Sequence, residues 1–375
     1  MSIINVPKYY ENERGILKKS GELIKRIGKH SLIIGGNTAL NVVKRSLFKS
    51  LDESQITYEV AIFTGYPTLK KIDFYEKQVL GNKNDVIIGI GGGKVMDLVK
   101  AIGDKVHIPV VTIPTIPATC AAWSALSVIY KDNGEQDVYI YLKNSPELII
   151  ADKEVLESAP LRYINSGVAD TIVKWYEIHP DLRKNKDNFP LRLQLKICEL
   201  ALEFLKNDYI EAYKNGKLFK TENKYYIDNA IDSIIMLAGF AGSIKGSIPY
   251  GGLAHPFYNS STYIHDIHKL LHGEKVIFGL IVQLILEKRS EKEIYKLIEW
   301  MDILNLPITL SHIGINSDAV RKVEIIADKM KEWVGDYSGL DYELTKEDIF
   351  KAIFEADRRG KLFSKEVIVC RSNLY

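Results

Sequence analysis

Histidine is scarce in this chain, with eight in 375 residues, and half of them fall close together as His255, His265, His268 and His272. A neutral imidazole is a common ligand for zinc or iron. His268 and His272 stand four apart, so they would share one face if their segment is helical. His255 lies in Gly251-Gly-Leu-Ala-His-Pro256, where the proline predicts a helix break. Asp170 follows Ser166-Gly-Val-Ala at the start of an apolar-periodic helix. Two histidines and a carboxylate leave an open coordination position, the layout of a catalytic metal site. Taken singly, each histidine is more often a surface or core residue than a ligand, and Asp170 reads as a helix-start acid.

A second grouping is Ile87-Ile-Gly-Ile-Gly-Gly-Gly-Lys-Val-Met-Asp97. A strand runs into Gly91, Gly92 and Gly93, then Lys94, then a helix. Backbone N–H groups without side chains admit an anion closely, and a helix N-terminus favours negative charge. Lys94 adds a full positive charge. The pattern predicts a pyrophosphate cradle at the carboxyl end of a strand, although it is neither G-x-G-x-x-G nor a Walker loop. A tight turn without ligand is the plainer alternative. Asp97 reads either as a first-turn acid or as a polar contact to a cofactor. The run from Pro114 to Tyr130, rich in small and hydroxylated residues, suits a ligand-lining loop and an ordinary turn about equally.

These groups need a scaffold, and the chain divides by texture. Up to about residue 155, apolar runs alternate with helical patterns: Ser31–Ile34, Tyr58–Phe63, Asp85–Ile90, Val110–Ile113 and Glu147–Ala151. Most are nearly continuous, as strands covered on both faces would be. Alternation with helices implies βαβ units and a mainly parallel sheet. Beyond Asp152 the spacing is helical, in Ala201–Leu205, Ile231–Ala238, Val276–Leu286 and Ala319–Trp333, the last expected to stop at Gly335. Lys214–Lys224 is polar and predicts a surface loop. The expectation is an α/β, Rossmann-like, parallel-sheet nucleotide-binding domain over 1–155 and an all-α, metal-binding domain over 156–375.

Composition narrows the partners. The apolar fraction is 46% and the formal net charge is +2, without a long run of either sign. A nucleic-acid binder would carry a dense basic patch. Cys120, Cys198 and Cys370 are widely spaced with no CxxC pair, against a disulfide framework or a thiolate zinc knot. No basic-then-apolar leader pattern opens the sequence, and no apolar run approaches the ~20 residues of a membrane helix. The expectation is a cytoplasmic protein with a small-molecule substrate and no nucleic-acid or membrane partner.

Together the motifs resemble the iron-containing alcohol dehydrogenase superfamily, in particular its glycerol-dehydrogenase-like branch. Five segments carry the resemblance in order: Gly91-Gly-Gly-Lys-Val-Met-Asp97, Pro114-Thr-Ile-Pro117, Ser124-Ala-Leu-Ser-Val-Ile-Tyr130, Gly167-Val-Ala-Asp170 and His272-Gly-Glu-Lys-Val-Ile-Phe-Gly279. It implies a dehydroquinate synthase-like fold and a divalent metal, zinc or iron, held by Asp170, His255 and His272. It also implies that Gly91, Gly92, Gly93, Lys94, Asp97, Thr115, Thr119, Ser124, Leu126 and Tyr130 line NAD or NADP. Some members place a histidine near the substrate where His268 stands, which makes it a candidate proton carrier. Relatives are commonly homo-oligomers.

Two departures bear on substrate and cofactor. Glycerol dehydrogenases of this branch read Ser-Thr-Asp-Ala-Pro where this chain reads Ala118-Thr-Cys-Ala-Ala-Trp123, so Cys120 replaces a carboxylate that contacts the polyol. A thiol accepts hydrogen bonds poorly and does not repel an acid. With Asp170-Thr-Ile-Val-Lys-Trp-Tyr-Glu177, this loop is most similar to hydroxycarboxylate dehydrogenases. The resemblance therefore implies a 2-oxo/2-hydroxy acid substrate, with a polyol such as glycerol as the alternative and a non-redox cyclase, as in dehydroquinate synthase, as a remote one. Gly36 stands about where NAD-preferring members carry an aspartate, which leaves room for a 2′-phosphate.

Overall fold

The computed structural model describes residues 3–220, 224–245, 252–334, 340 and 342–372, without the side chains of 3, 181–184, 219, 245 and 366–372. It forms two compact units. The first takes Met1–Ile164 and Ile227–Lys245; the second takes Asn165–Tyr226 and Gly246–Tyr375. A single cut at residue 155 leaves out the return of 227–245 to the first unit. Ile244 and Lys245 there pair with Ile3 and Ile4 as a short antiparallel ladder.

The first unit is built on strands β1 (Tyr9–Glu11), β2 (His30–Gly35), β3 (Thr57–Ile62), β4 (Val86–Gly91), β5 (Val110–Pro114) and β8 (Leu148–Ile150). They form one sheet in the order β1-β8-β5-β4-β2-β3, parallel throughout. Leu32, Ile33 and Ile34 of β2 and Ile87, Ile88 and Ile90 of β4 are fully buried, as interior strands of a sheet covered on both faces require. Helix α1 (Asn37–Glu53) lays Leu40, Val43, Leu47 and Leu51 on this core at helical spacing. The run at 58–63 differs from the others. It supplies the edge strand β3, with Val60 and Ile62 exposed. The three-residue β1 had no apolar run to announce it.

The connections after β2 and β4 leave in opposite directions, toward β3 on one side and toward β5 on the other. That makes the space at their carboxyl ends a topological switch point, where open α/β sheets bind ligands. The glycine turn falls there. It leads from β4 into α2 (Gly93–Val106). The segment 126–130, within the run expected to form a loop or turn, is strand β6 (Leu126–Tyr130). It pairs antiparallel with β7 (Gln136–Tyr141). Its period-2 burial was masked because the inward position at 127 is a serine.

In the second unit, α3 (Leu161–Lys184, beginning in the first), α4 (Ala254–Ser261) and α5 (His272–Leu286) hold the candidate ligands. Helix α5 is buried continuously from Gly273 to Leu284, apolar all round from Val276 to Val282. It meets α4 through Phe257 and Phe278, with ring centroids 5.6 Å apart. The helix 319–334 forms as expected. Its expected stop, Gly335, lies outside the described residues, as does part of the 214–224 loop. Among the described residues, no helix is long and apolar enough to cross a membrane.

Candidate functional site

Asp170 projects from α3, His255 from the first turn of α4 and His272 from the first position of α5. Their potential ligand atoms lie within 4.8 Å of one another. Asp170 Oδ1 is 3.3 Å from His255 Nε2 and 3.3 Å from His272 Nε2. Yet this buried oxygen completes no hydrogen bond. A buried carboxylate oxygen without a donor is costly, and lone pairs that face one another need a proton or a cation between them. The donor set of two nitrogens and one oxygen fits a zinc or iron ion with an open position.

The backbone brings these side chains together by close approach. A Cβ on Gly273 would lie 1.9 Å from the Ser166 carbonyl oxygen, so only glycine lets the start of α5 reach α3. Gly273 N–H donates to Ser166 Oγ at 3.1 Å. The start of α4 is satisfied by side chains. Gln283 Oε1 accepts from the N–H groups of Leu253 and Ala254, and Glu177 Oε1 accepts from that of His255. Glu177 Oε2 takes the other ring nitrogen of His255, Nδ1, at 2.6 Å. This contact turns Nε2 toward Asp170 with its lone pair outward, the usual carboxylate–histidine support of a metal ligand. No local pattern pairs Glu177 with His255, because the two lie 78 residues apart in the chain. Tyr258 packs edge-on against His272, with centroids 4.2 Å apart.

The electrostatics follow from these neighbours. Burial pushes the Asp170 carboxyl up, but Lys174 first and then the two imidazoles outweigh it and hold it well below the ordinary value. Burial opposes the charged form of His255, yet Glu177 and Asp170 overcome it and raise the group to about 9. His272 has no second carboxylate, so burial dominates and lowers it.

His268 does not join this set. It lies beyond the short 3-10 turn His265–Ile267 and before α5, so His268 and His272 do not share a helix face. Its Nε2 lies 2.7 Å from the Thr262 carbonyl oxygen. A carbonyl only accepts, so this nitrogen carries the proton, and Nδ1 is the accepting nitrogen of the neutral ring.

In the first unit, Gly36, the glycine turn, Thr115 and Thr119 lie at or beside the carboxyl ends of β2, β4 and β5. Gly91 has φ +151°, a conformation that L side chains rarely adopt. Its carbonyl accepts the Thr115 N–H at 3.0 Å, which joins the ends of β4 and β5. Gly36 follows β2, whose Gly35 is in register with Ile90. The Thr119 hydroxyl sits over Gly93, where a Cβ would meet it at 3.3 Å. Lys94 Nζ lies 3.8 Å from the Tyr66 ring centroid, and Tyr66 packs on Tyr130. Desolvation first, and Lys71 second, hold the Lys94 ammonium below its ordinary pKa. Backbone free of side chains, a helix N-terminus and a lysine together fit a pyrophosphate. Cys120 is half-buried in the same loop.

Asp97 has a partner that spacing alone did not assign. It is buried 3.3 Å from Lys100, whose ammonium also donates to Ser124 O at 3.0 Å, Ser124 Oγ at 3.2 Å and Leu126 O. Asp97 accepts the Val128 N–H. The pair therefore clamps Ser124–Val128, including the first half of β6, onto α2. Burial raises Asp97 to about 6, against the opposing pull of Lys100 and that N–H, and burial lowers Lys100.

Residues 7–153 match the family model "Iron-containing alcohol dehydrogenase". A glycerol dehydrogenase of Thermotoga maritima is 30% identical over 362 residues, covering 95% of this chain and 97% of that one. A glycolaldehyde reductase of Halobacterium salinarum is 29% identical over 369 residues, covering 96% and 98%. The crystal structure of glycerol dehydrogenase from Schizosaccharomyces pombe superposes with a TM-score of 0.85 at 26% identity, covering 97% of this chain and 92% of that one.

Proposed function

Because this chain belongs to the iron-containing alcohol dehydrogenase family, we propose that it moves hydride reversibly between a nicotinamide dinucleotide and the carbinol carbon of a small vicinal hydroxy compound of the glycerol class. The observation that carries this reading is the convergence of Asp170, His255 and His272 around an unsatisfied carboxylate oxygen.

In this reading the trio holds one divalent ion, which supplies Lewis acidity toward a substrate oxygen when bound. The nicotinamide supplies the hydride acceptor, or the donor in reverse. Glu177 keeps His255 in the tautomer that offers Nε2. Gly91, Gly92, Gly93 and Lys94 receive the pyrophosphate, and Asp97 with Lys100 holds Ser124, Leu126 and Tyr130 in place for the rest of the dinucleotide. His268 is the candidate proton carrier. Zinc and iron both suit the ligands. With Gly36 at the end of β2, no carboxylate stands there to repel a 2′-phosphate, so NADP is admitted beside NAD.

The named relatives act on two- and three-carbon hydroxy compounds, which favours a polyol or hydroxyaldehyde here. A second reading, a 2-hydroxy acid, rests on Cys120, a thiol where glycerol dehydrogenases carry a carboxylate. The test follows NAD(P)H absorbance with zinc- or iron-loaded protein and a panel of glycerol, glycolaldehyde and 2-oxo acids. Metal-dependent turnover of the first two carries the main reading, and exclusive turnover of 2-oxo acids carries the second. Failure on every member, with metal and cofactor bound, would sink both. A homo-oligomer belongs to the same proposal and is checked by light scattering.

A further inference from the structure

A dinucleotide fold that receives the pyrophosphate at one strand-to-helix turn reads the adenosine ribose at the end of the neighbouring strand. A carboxylate there binds the 2′-hydroxyl of NAD, whereas a cation nearby accommodates the 2′-phosphate of NADP. Here the glycine turn ends β4, and its neighbour is β2, with Gly35 in register with Ile90. The two turns lie side by side: a Cβ on Gly91 would be 3.8 Å from that of Ala39 in the first turn of α1. The place just past β2 belongs to Gly36 and is open. A Cβ there would meet only the Phe63 carbonyl oxygen, at 3.9 Å.

The connection after β3 brings a lysine to this place. Phe63 N–H donates to Gly35 O at 2.9 Å, so the loop after β3 starts beside Gly36. Lys71, in the first turn of the helix Leu69–Gly81, folds back over that loop. Its ammonium donates to the Thr64 and Tyr66 carbonyls. It lies 4.8 Å from the centroid of the Phe63 ring and would be 3.2 Å from a Cβ on Gly65. An ammonium has three donors, and the carbonyls take two. Neither 35–40 nor 63–71 contains an acid. Lys71 also helps to hold Lys94 below its ordinary pKa, so the two ammoniums are near enough to repel each other. An anion bound beside them relieves that repulsion. Lys94 accounts for charge that NAD and NADP share, the pyrophosphate. Lys71 stands beyond β2, where only NADP carries charge.

We propose that Lys71 binds the 2′-phosphate of NADP beside the open backbone of Gly36, and thereby makes this chain prefer NADP(H) to NAD(H). This inference rests on the dinucleotide reading above.

The test measures binding rather than turnover, by fluorescence titration of NADPH and NADH against the full-length protein without substrate. Wild type should bind NADPH on the order of tenfold more tightly than NADH, the worth of one hydrogen bond between charged groups. Lys71→Met should remove that preference, and Lys71→Arg should keep it. A loop merely disturbed by the loss of Lys71 would weaken both cofactors alike, so NADH serves as the internal control. Lys94→Met should weaken both. Gly36→Asp should reverse the preference without loss of stability, because Gly36 is the residue that precedes α1, with φ −76°, and an aspartate suits such a helix start. Added salt should shrink the NADPH advantage of wild type but leave the affinity ratio of Lys71→Met unchanged. If wild type binds neither cofactor, the dinucleotide reading itself fails. If it binds both, but NADH as tightly as NADPH, or if Lys71→Met keeps the wild-type ratio, the role given to Lys71 is wrong.

Discussion

Glu177 holds His255 at two points, with Oε2 2.6 Å from the ring Nδ1 and Oε1 2.9 Å from the backbone nitrogen. A fully buried carboxylate thereby sets both the start of α4 and the direction of a candidate metal ligand. Replacing it separates these roles. Glu177→Gln keeps one oxygen for the backbone N–H but offers an amide donor where the ring nitrogen needs an acceptor. Zinc affinity should fall about 10–100-fold, while circular dichroism stays that of wild type. Undiminished affinity would remove Glu177 from the site.

Gly273 sets the spacing between α5 and α3. A methyl group there would overlap the Ser166 carbonyl and push His272 away from Asp170. Gly273→Ala should cost about 1–3 kcal/mol of stability, the usual range for overpacking. It should also weaken zinc retention more than a comparably destabilising change in the β6–β7 hairpin does. Urea unfolding together with metal analysis after dialysis measures both.

The Asp97–Lys100 pair gives a third prediction. Asp97→Asn leaves the Lys100 ammonium buried without its counter-ion, and breaking such a pair costs about 3–5 kcal/mol. The double variant Asp97→Asn, Lys100→Met should recover part of that loss, because it removes the stranded charge. The double variant also loses the Lys100 bonds to Ser124 and Leu126 and should bind NAD(H) more weakly, as read by cofactor fluorescence titration. Wild-type stability in Asp97→Asn would mean that the pair contributes little.

On the second unit's surface, Arg358 first and Arg359 after it hold the Glu355 carboxyl at about 2, below its ordinary 4.5, against a smaller opposing effect of burial. A depressed acid contributes stability that is present above its unfolded value and lost as pH falls through the folded one. Wild type should therefore exceed Glu355→Gln in stability at pH 5 and above. The gap should close between about pH 4.5 and 2. Denaturant titrations across that range check it, and a gap independent of pH would contradict the assignment.

Much of this molecule can be read from local pattern. Continuous apolar runs such as Leu32–Ile34 and Ile87–Ile90 announce interior strands because both faces of a parallel sheet are covered. Three glycines followed by a lysine mark the strand-to-helix turn, and at Gly91 the backbone takes φ +151°, which other residues rarely adopt. The trio of Asp170, His255 and His272 was legible only through a resemblance, since spacing alone also allowed His268, which the chain turns toward the Thr262 carbonyl instead. Tertiary structure decided the rest. The partnership of Glu177 with His255, the clamp that Asp97 and Lys100 place on β6, and the return of 227–245 to the first unit join residues far apart in the chain. Helical and strand periodicity report which face of a segment is buried, but not what it is buried against. That is set by packing: by where a glycine lets two helices touch, and by which buried charge must find its counter-ion.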